Sequence, residues 1–439
     1  MGLHPRLRID ISRRDLVAAL GAALLARDRS ALARRLEEQW APDGQGFACM
    51  SVRSGFDLLL SELDLPQESE ALLSAVNIPD MAQVLEAHGV RPVPVDLDPE
   101  TLAPTAGGLR DALSSRTRLV LVAHLFGGRV DLSPIAAFAA EHDLLLIEDA
   151  AQAFRGSQDR GDARADVSMF SFGPVKTATA LGGALLRVAD PALREGMRRR
   201  QSSWPVQPRA AHARRALLFL GLSFVKGPRA YGALAWGSAR AGKDLDAVLS
   251  TLIQPFADPP EPGRALDRDP APPPFFVDIR RQPCAPLLAL LARRLRGFDR
   301  RRLSRRTAAG ELVRRELPLG LALPGAGARE RTHWLVPVVG PEPGRLVSSL
   351  RAAGFDGARA ATSIVALAAS GTDSRPRRAQ EIMEQIVFLP AYPEVGEKEL
   401  RRLLAVLRRF TLGDGAQGGR RGSRPARAPR PTHAIRASI

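Results

Sequence analysis

Two short apolar segments with one helical segment between them constrain the fold of this chain more than any other feature. Residues 118–124 (RLVLVAH) and 144–148 (LLLIE) each have the length and composition of a buried strand. Ser133 followed by Pro134 is typical of a helix start, with Ser133 as the cap, and we expect a helix over 134–141. A strand, a helix and a second strand within about 30 residues form a right-handed crossover of a parallel sheet.

Two further segments, 167–172 and 184–188, predict more strands of the same sheet. The sequence therefore predicts an α/β domain with a mostly parallel, doubly wound sheet. Ligands of such sheets bind beyond the carboxyl ends of the strands. We expect the polar residues at these strand ends to meet at one edge, namely His124, Asp149, Gln152, Ser171 and Lys176.

Lys176 has an unusual setting. No other charged residue occurs between Asp166 and Arg187, and only four of the 63 basic residues are lysines. A lysine in such a segment indicates that an amine is required, because a guanidinium cannot form an imine. A desolvated lysine also has the lowered pKa of a nucleophilic amine. Beside a carboxylate, a histidine and a hydroxyl, it fits a cofactor with an aldehyde, a basic ring and a phosphate.

Each of these residues also has a purely structural interpretation. Asp149 could cap a helix that begins near Ala150. His124 could be a satisfied structural histidine, Ser171 an ordinary strand residue and Gln152 a helix surface residue. Their convergence on one sheet edge favours a cofactor site, but the residues taken one by one leave both interpretations open.

Six segments, in order along the chain, resemble a known family. They are 92–99 (PVPVDLDP), 123–127 (AHLFG), 147–153 (IEDAAQA), 170–176 (FSFGPVK), 182–184 (GGA) and 388–393 (FLPAYP). This set is similar to the DegT/DnrJ/StrS family of sugar aminotransferases, which depend on pyridoxal 5′-phosphate (PLP) and have fold type I. The resemblance implies a PLP-transferase-like large domain and a smaller C-terminal α+β domain.

The resemblance also implies a role for each candidate residue. Lys176 would be the Schiff-base lysine and the proton shuttle, and Asp149 would keep the pyridine nitrogen protonated. Gln152 would contact the ring hydroxyl, and His124 would lie near the ring as a third catalytic residue. Members of the family are homodimers whose partner subunit completes each site, so we expect a homodimer. The phosphate would be held near a helix N-terminus by Ser54, Gly55, Phe56 and Ser171.

Four positions depart from the family's pattern. Phe56 replaces a phosphate-binding threonine, and Ile78 replaces an aromatic ring that stacks on the cofactor. Asp278 stands where an asparagine reaches the neighbouring phosphate, and an anion there would repel it. Leu181 replaces the glutamate of a Gly-Glu-Gly-Gly segment. These departures leave cofactor binding supported and the sugar substrate open.

The pattern of elements divides the chain into regions. We predict an N-terminal helical segment (1–45), a PLP-binding large domain (46–202), an insertion with an apolar helix and a proline-rich linker (203–276), a small domain (277–412) and a disordered basic tail (413–439). Within the small domain we expect a long helical segment over 287–317, a strand over 332–339, and helices over 345–353 and 398–410.

The apolar run at 216–225 is too short to cross a bilayer, which needs about 20 residues. We expect it to pack on the body of the protein or on a dimer partner. The alternative is shallow docking on an anionic membrane through residues 209–229, because basic residues flank the run. An N-terminal Arg13-Arg14 pair resembles an export signal, but Asp15 and the charges at 27–29 interrupt it. We therefore expect a cytoplasmic protein.

The remaining composition excludes several classes of partner. The net charge of +16 comes from arginines spread along the chain and from the tail, so it does not indicate a nucleic-acid partner. Two cysteines, Cys49 and Cys284, have no metal-ligand spacing, and we expect no metal site.

The predicted function is transfer of an amino group from an amino acid, with glutamate as the expected donor, to a keto group of a sugar nucleotide or related metabolite. One alternative is another PLP reaction such as dehydration, although the dehydrating branch of the family replaces the lysine that this chain keeps at Lys176. The other alternative is a catalytically silent relative that works as a binding or scaffold protein, which Phe56, Ile78 and Asp278 suggest.

Overall fold

The computed structural model describes residues 2–225, 227–242, 274–359, 363–369 and 375–412. Its helices are α1 Arg13–Leu25, α2 Arg29–Trp40, α3 Val52–Leu63, α4 Pro79–Ala87, α5 Ala106–Ala112, α6 Ser133–Glu141, α7 Pro191–Ser202, α8 Arg209–Leu222, α9 Pro228–Arg240, α10 Pro274–Ile279, α11 Ala285–Arg296, α12 Arg300–Glu316, α13 Pro343–Ala352, α14 Arg377–Gln385 and α15 Glu397–Leu412. Its strands are β1 Gly46–Cys49, β2 Glu70–Ser74, β3 Val76–Asn77, β4 Arg91–Val95, β5 Thr117–Ala123, β6 Gly128–Arg129, β7 Leu145–Asp149, β8 Val167–Ser171, β9 Ala184–Val188, β10 Glu330–Arg331, β11 Val336–Val339, β12 Val365–Ala366 and β13 Ile386–Leu389.

A seven-stranded sheet forms the centre of the large domain, in the order β1-β9-β8-β7-β5-β2-β4. Neighbouring strands from β8 to β4 run parallel, whereas β9 runs antiparallel to both β8 and β1. The predicted α/β class with a mostly parallel sheet is confirmed. The carboxyl ends of β5, β7 and β8 lie side by side, so the residues that follow them share one edge.

Both faces of the sheet are covered, which explains why its strands read as continuous apolar runs. In β5, Leu119 and Leu121 point into a cluster that includes α3 and α4, and the alternate residues Val120 and Val122 point into a cluster that includes α6. The first residue of α6 differs from the prediction. Leu132 is the cap position and Ser133 is already helical, with its amide and hydroxyl both donating to Asp131.

The N-terminal segment forms two helices, α1 and α2, which pack on the sheet through residues such as Leu16 and Leu36. Helix α11 packs in the same cluster, and its Arg294 forms a salt bridge of 2.8 Å with Asp15. The long helical segment predicted over 287–317 is two helices, α11 and α12, because Gly297 ends the first one.

A separate cluster joins α12, α13 and α15 to the two-stranded sheet of β11 and β13. The strand expected over 332–339 is shorter, at Val336–Val339, and the helices expected over 345–353 and 398–410 are Pro343–Ala352 and Glu397–Leu412. These elements agree in type and order with the predicted α+β unit. The boundary placed at residue 277 stays a prediction.

Residues 216–222 of the apolar run lie in α8, which packs along α1, and residues 223–225 follow it in a turn. Ala216 and Phe219 face the core, while Leu217 and Phe224 remain exposed. The proline-rich linker before α10, the lysines at 226 and 243, and the predicted tail at 413–439 lie outside the described residues. Within the described part of the chain, no helix combines the length and the apolar character that crossing a bilayer requires.

Candidate functional site

Lys176 lies in the loop that follows β8, and its amine nitrogen is 4.4 Å from the centre of the Trp334 ring. Burial lowers the pKa of this amine to about 8, and the nearby Asp149 carboxylate offsets only part of that effect. A larger fraction of Lys176 is therefore neutral at physiological pH than for a lysine in water, as a nucleophilic amine requires.

Asp149 is the last residue of β7 and is buried. Its Oδ1 accepts a hydrogen bond of 2.9 Å from the amide of Ala151, and its backbone carbonyl accepts one of 2.9 Å from the amide of His124. Burial raises the pKa of the Asp149 carboxyl, and the Ala151 amide and Lys176 offset part of this rise. Residues 150–153 form a turn, so the interpretation of Asp149 as a helix cap is wrong.

Gln152 is held by the backbone. Its Oε1 accepts a hydrogen bond of 2.9 Å from the amide of Phe126, a residue with a φ of 56°. Only the oxygen of a carboxamide can accept such a bond, so the orientation of the side chain is fixed and its NH2 group is left as a donor. A donor at this position can serve a ring hydroxyl, as the resemblance implies.

His124 uses both of its ring nitrogens within the protein. Its Nδ1 accepts a bond of 3.1 Å from the amide of Val130, so the proton must be on Nε2, which donates over 2.7 Å to Glu148. The ring is 1% exposed. No nitrogen remains to exchange protons with a ligand, and the predicted role of His124 as a catalytic acid or base is not supported by this geometry.

Glu148 and His124 belong to a buried ionic network. Glu148 also accepts from Arg129, whose second nitrogen bonds Asp159 over 2.6 Å. Burial alone would raise the pKa of Glu148, but the hydrogen bond from His124 and the charge of Arg129 hold it well below its usual range. Glu148 immediately precedes Asp149 in β7, so the network anchors the end of the strand that carries Asp149.

The structure does not place Ser54, Gly55 and Phe56 where they could bind a phosphate as predicted. Helix α3 begins at Val52, capped by Ser51, so these residues lie within the helix. The amide of Gly55 donates to the Ser51 carbonyl over 3.0 Å, and the Phe56 side chain is fully buried in the core. Neither backbone amide is available to a phosphate, and this part of the prediction is wrong.

The N-terminus of α3 offers another place where a phosphate could bind. The first amides of a helix have no partner inside it, and the amide of Ser54 is already taken by the Ser51 hydroxyl over 3.1 Å. The amides of Val52 and Arg53 therefore remain at the helix N-terminus, and the Arg53 side chain lies near enough to Lys176 to lower its pKa. A Ser-x-x-Ser capping pattern at 51–54 was the sequence signal for this register.

The structure also locates the remaining residues that the sequence singled out, namely Ser171, Ile78, Asp278 and Leu181. Ser171 is half-buried at the end of β8, and its hydroxyl accepts a bond of 3.4 Å from the amide of Gly173. Ile78 precedes α4 and packs partly in the core, Asp278 is exposed on α10, and Leu181 is buried with a φ of 63°. Among the described residues no cluster of ligating side chains could hold a metal ion.

Sequence reasoning missed Arg53, Trp334 and Arg306, which all lie near Lys176. Arg306 donates to the hydroxyl of Thr177 over 2.9 Å although 129 residues separate them. No local pattern marks such a residue, since its position depends on how α12 packs against the loop after β8. Trp334 carried a weak signal, because it is one of only four tryptophans in the chain.

Residues 24–213 match the model of the DegT/DnrJ/EryC1/StrS aminotransferase family. The chain is 33% identical over 165 residues to UDP-N-acetyl-3-dehydro-alpha-D-glucosamine 3-aminotransferase of Acidithiobacillus ferrooxidans, covering 36% of this chain and 44% of that protein. It is 33% identical over 207 residues to dTDP-4-dehydro-2,3,6-trideoxy-D-glucose 4-aminotransferase of Saccharopolyspora spinosa, covering 44% and 49%. The matched part thus spans less than half the length of these relatives.

The fold extends further than the sequence similarity. The crystal structure of the aminotransferase TlmJ from Streptoalloteichus hindustanus superposes with a TM-score of 0.66, covering 93% of this chain and 98% of that one, at 19% identity. At this identity the similarity shows the fold alone, which is that of the solved aminotransferases over nearly the whole chain.

Proposed function

We propose that this protein is a PLP-dependent aminotransferase, because residues 24–213 match the model of the DegT/DnrJ/EryC1/StrS aminotransferase family. It moves an amino group from an amino acid, with glutamate as the donor, to a keto group of a sugar nucleotide or related metabolite. One observation carries the proposal: the Lys176 amine has a pKa lowered to about 8 and lies near the buried carboxylate of Asp149.

The side chains at the sheet edge fit this cofactor. Asp149 is a buried carboxylate whose second oxygen has no hydrogen-bond partner within the described ranges. Burial raises its pKa, and Lys176 offsets only part of that rise, so a further cation beside it would stabilise the charged form. A protonated pyridine nitrogen would supply that cation. The NH2 group of Gln152, the Ser171 hydroxyl and the first amides of α3 would receive the ring hydroxyl and the phosphate.

When bound, PLP withdraws electrons from the substrate's α-carbon, and the protein supplies attachment, orientation and proton transfer. Lys176 would hold the cofactor and would afterwards carry a proton on its Nζ to and from the substrate. Asp149 would keep the pyridine nitrogen protonated, which would maintain the electron-withdrawing form of the ring. The Trp334 ring lies 4.4 Å from Nζ and would limit the access of water to it.

The acceptor class is supported by the relatives, two of which are named for keto-sugar nucleotides. The donor and the homodimeric state rest on the family resemblance. Light scattering of the purified protein would show twice the 47.3 kDa of the chain if it is a homodimer. We keep a cytoplasmic location, without specific nucleic-acid binding, as part of the same proposal.

The decisive experiment is borohydride reduction of the PLP-loaded protein followed by peptide mapping. We expect the pyridoxyl group on Lys176, and turnover when glutamate or glutamine is screened with keto-sugar nucleotides. A label on another lysine, such as the exposed Lys398, or no label, would contradict the proposal. Lys176→Arg keeps the charge but cannot form the imine, so it should remain folded without activity.

The silent scaffold interpretation loses one of its supports. It rested partly on Phe56 at a phosphate-binding position, and Phe56 is instead a core residue of α3. Dehydration remains disfavoured because Lys176 is retained. Ile78 and Asp278 are the remaining departures that could reduce activity, and the turnover screen tests them directly.

A further inference from the structure

Among the residues that the structure describes, one arginine near the reactive lysine has no carboxylate within salt-bridge distance, unlike the arginines around it, and Asp10 acts on it only from further away. Helix α12 places Arg302 and Arg306 one turn apart beside a cavity of about 280 Å³. The cavity is also lined by Arg8, Arg294 and the carboxylate of Asp10. The cluster is rich in cations, so the pairing of each arginine decides what charge the cavity presents to a ligand.

The other arginines of this cavity are neutralised. Arg302 is 3.1 Å from Asp10 and also pairs with Glu394, and Arg8 is 3.8 Å from Glu394. Arg294 is 2.8 Å from Asp15. Arg306 has no carboxylate within salt-bridge distance among the residues that the structure describes, so its charge is available to a ligand.

The guanidinium of Arg306 is fixed in place by neutral groups. Its Nε donates to the carbonyl of Thr332 over 2.9 Å, and its Nη1 donates to the Thr177 hydroxyl over 2.9 Å. Its Nη2 is shielded from solvent and has no hydrogen-bond partner in the described part of the chain. A buried cationic donor left without a partner costs free energy, which an anion bound there would recover.

The two groups that hold Arg306 also flank the reactive amine. Thr177 is the next residue after Lys176, and Thr332 is two residues before Trp334, whose ring covers Nζ. A second, smaller cavity is lined by both Lys176 and Arg306. A ligand anion on Arg306 would therefore lie beside the place where the amino group is transferred.

Burial lowers the pKa of Arg306 to about 10, which leaves it charged at neutral pH. A guanidinium matches the planar oxygens of a carboxylate or a phosphate. We propose that Arg306, held by Thr177 and Thr332, binds an oxyanion of the substrate next to Lys176. The oxyanion is either the carboxylate of the amino donor or the diphosphate of the nucleotide acceptor. This inference rests on the proposed function.

Calorimetric titrations of the full chain test the site without turnover, first with no PLP added and then with PLP. Succinate stands in for the donor's carboxylates, and UDP and dTDP stand in for the acceptor's diphosphate. We expect Arg306→Met to weaken binding of one probe class by roughly tenfold or more, as the loss of a hydrogen bond to a charged group implies. Loss of succinate binding would show that the oxyanion on Arg306 belongs to the amino donor, and loss of nucleotide binding would show that it belongs to the acceptor.

The matched control is Arg305→Met, which removes the neighbouring arginine on the exposed side of α12. The inference is overturned if the parent binds neither class, if Arg306→Met binds both as the parent does, or if Arg305→Met weakens binding equally. Should Arg306→Met fail to fold, Thr177→Val removes the hydroxyl that holds Nη1, and unchanged binding by that variant also overturns it. If Lys176 does not take up PLP, the proposed function fails, but the titrations without PLP still test whether Arg306 binds an oxyanion. The failure of one proposal can therefore be told apart from the failure of the other.

Discussion

The Nζ of Lys176 lies 4.4 Å from the centre of the indole ring of Trp334. The ring is itself fixed, because its Nε1 donates to the carbonyl of Val175 over 2.9 Å. The face of an indole attracts a cation, so the contact helps to keep an otherwise desolvated amine in place. Burial lowers the pKa of this amine to about 8, and the indole ring orients the same amine.

The reactivity of Lys176 should depend on pH in a defined way. Its folded-state pKa of about 8 is below the ordinary lysine value, so the amine loses its proton as the pH rises through about 8. We expect acylation of Lys176 in the protein without PLP to be slow below that pH and to reach a plateau above it. Mass spectrometry of the labelled peptides measures this, with Lys398 as the internal reference. A midpoint near the ordinary lysine value would contradict the buried setting.

The strands were predictable because their residues face apolar surroundings on both sides. Asp149 and Lys176 were predictable because Asp149 ends such a strand and Lys176 lies in the loop after another. The start of α3 was not assigned correctly. The glycine that suggested a phosphate turn, Gly55, is instead required by packing, since a Cβ there would lie 2.7 Å from Leu186. The partners of Lys176 that come from distant segments, such as Trp334, depend on packing that no local pattern records.

Replacing Asp149 by asparagine should affect catalysis far more than folding. Without the carboxylate the pyridine nitrogen loses its charge partner, and removal of a buried electrostatic group of this kind costs roughly two or more orders of magnitude in rate. Folding should not suffer, because burial already raises the pKa of the Asp149 carboxyl and a neutral amide is easier to bury. Turnover and thermal unfolding measure the two effects.

The control for that substitution is Asp131→Asn, the same change at an exposed carboxylate that bonds Ser133. It should leave turnover unchanged. If Asp149→Asn turns over substrate at the parent rate, Asp149 has no part in the chemistry and only anchors the turn at Ala151.

The network of His124, Glu148 and Arg129 should contribute mainly to stability. Glu148→Ala would leave His124 without its carboxylate and Arg129 with only one of its two, inside the protein. Removing one partner from a buried ionic network costs on the order of 3 kcal/mol of unfolding free energy. Urea denaturation of parent and variant gives the difference.

An exposed ion pair provides the comparison for this measurement. Glu381→Ala removes the partner of Arg377, which is 87% exposed, and should leave the unfolding free energy nearly unchanged, because solvent screens such a pair. Equal effects of the two substitutions on the unfolding free energy would contradict the prediction that the buried network stabilises the fold more than an exposed ion pair does. A stable Glu148→Ala protein that had lost turnover would instead give His124 and Glu148 a direct role in the reaction.

Two phenylalanines of the apolar run, one in α8 and one in the turn just after it, allow packing to be separated from membrane contact. Phe219 is 3% exposed and packs in the cluster of α1 and α11, whereas Phe224 is 65% exposed, with the Arg13 guanidinium 4.0 Å from its ring centre. We expect Phe219→Asp to lower the unfolding free energy by about 3 kcal/mol or more, since truncating a buried phenylalanine alone costs about that much. Phe224→Asp should fold like the parent.

The same two variants decide whether residues 209–229 contact a membrane. In sedimentation with anionic vesicles we expect the parent to remain in the supernatant, because the inner face of α8 is already satisfied by α1. Binding by the parent that falls with added salt and is lost in Phe224→Asp, while that variant stays folded and keeps its oligomeric state, would establish the membrane interpretation instead. If Phe224→Asp converts a dimer into monomers and the parent ignores vesicles, the exposed segment around Phe224 is part of the subunit interface.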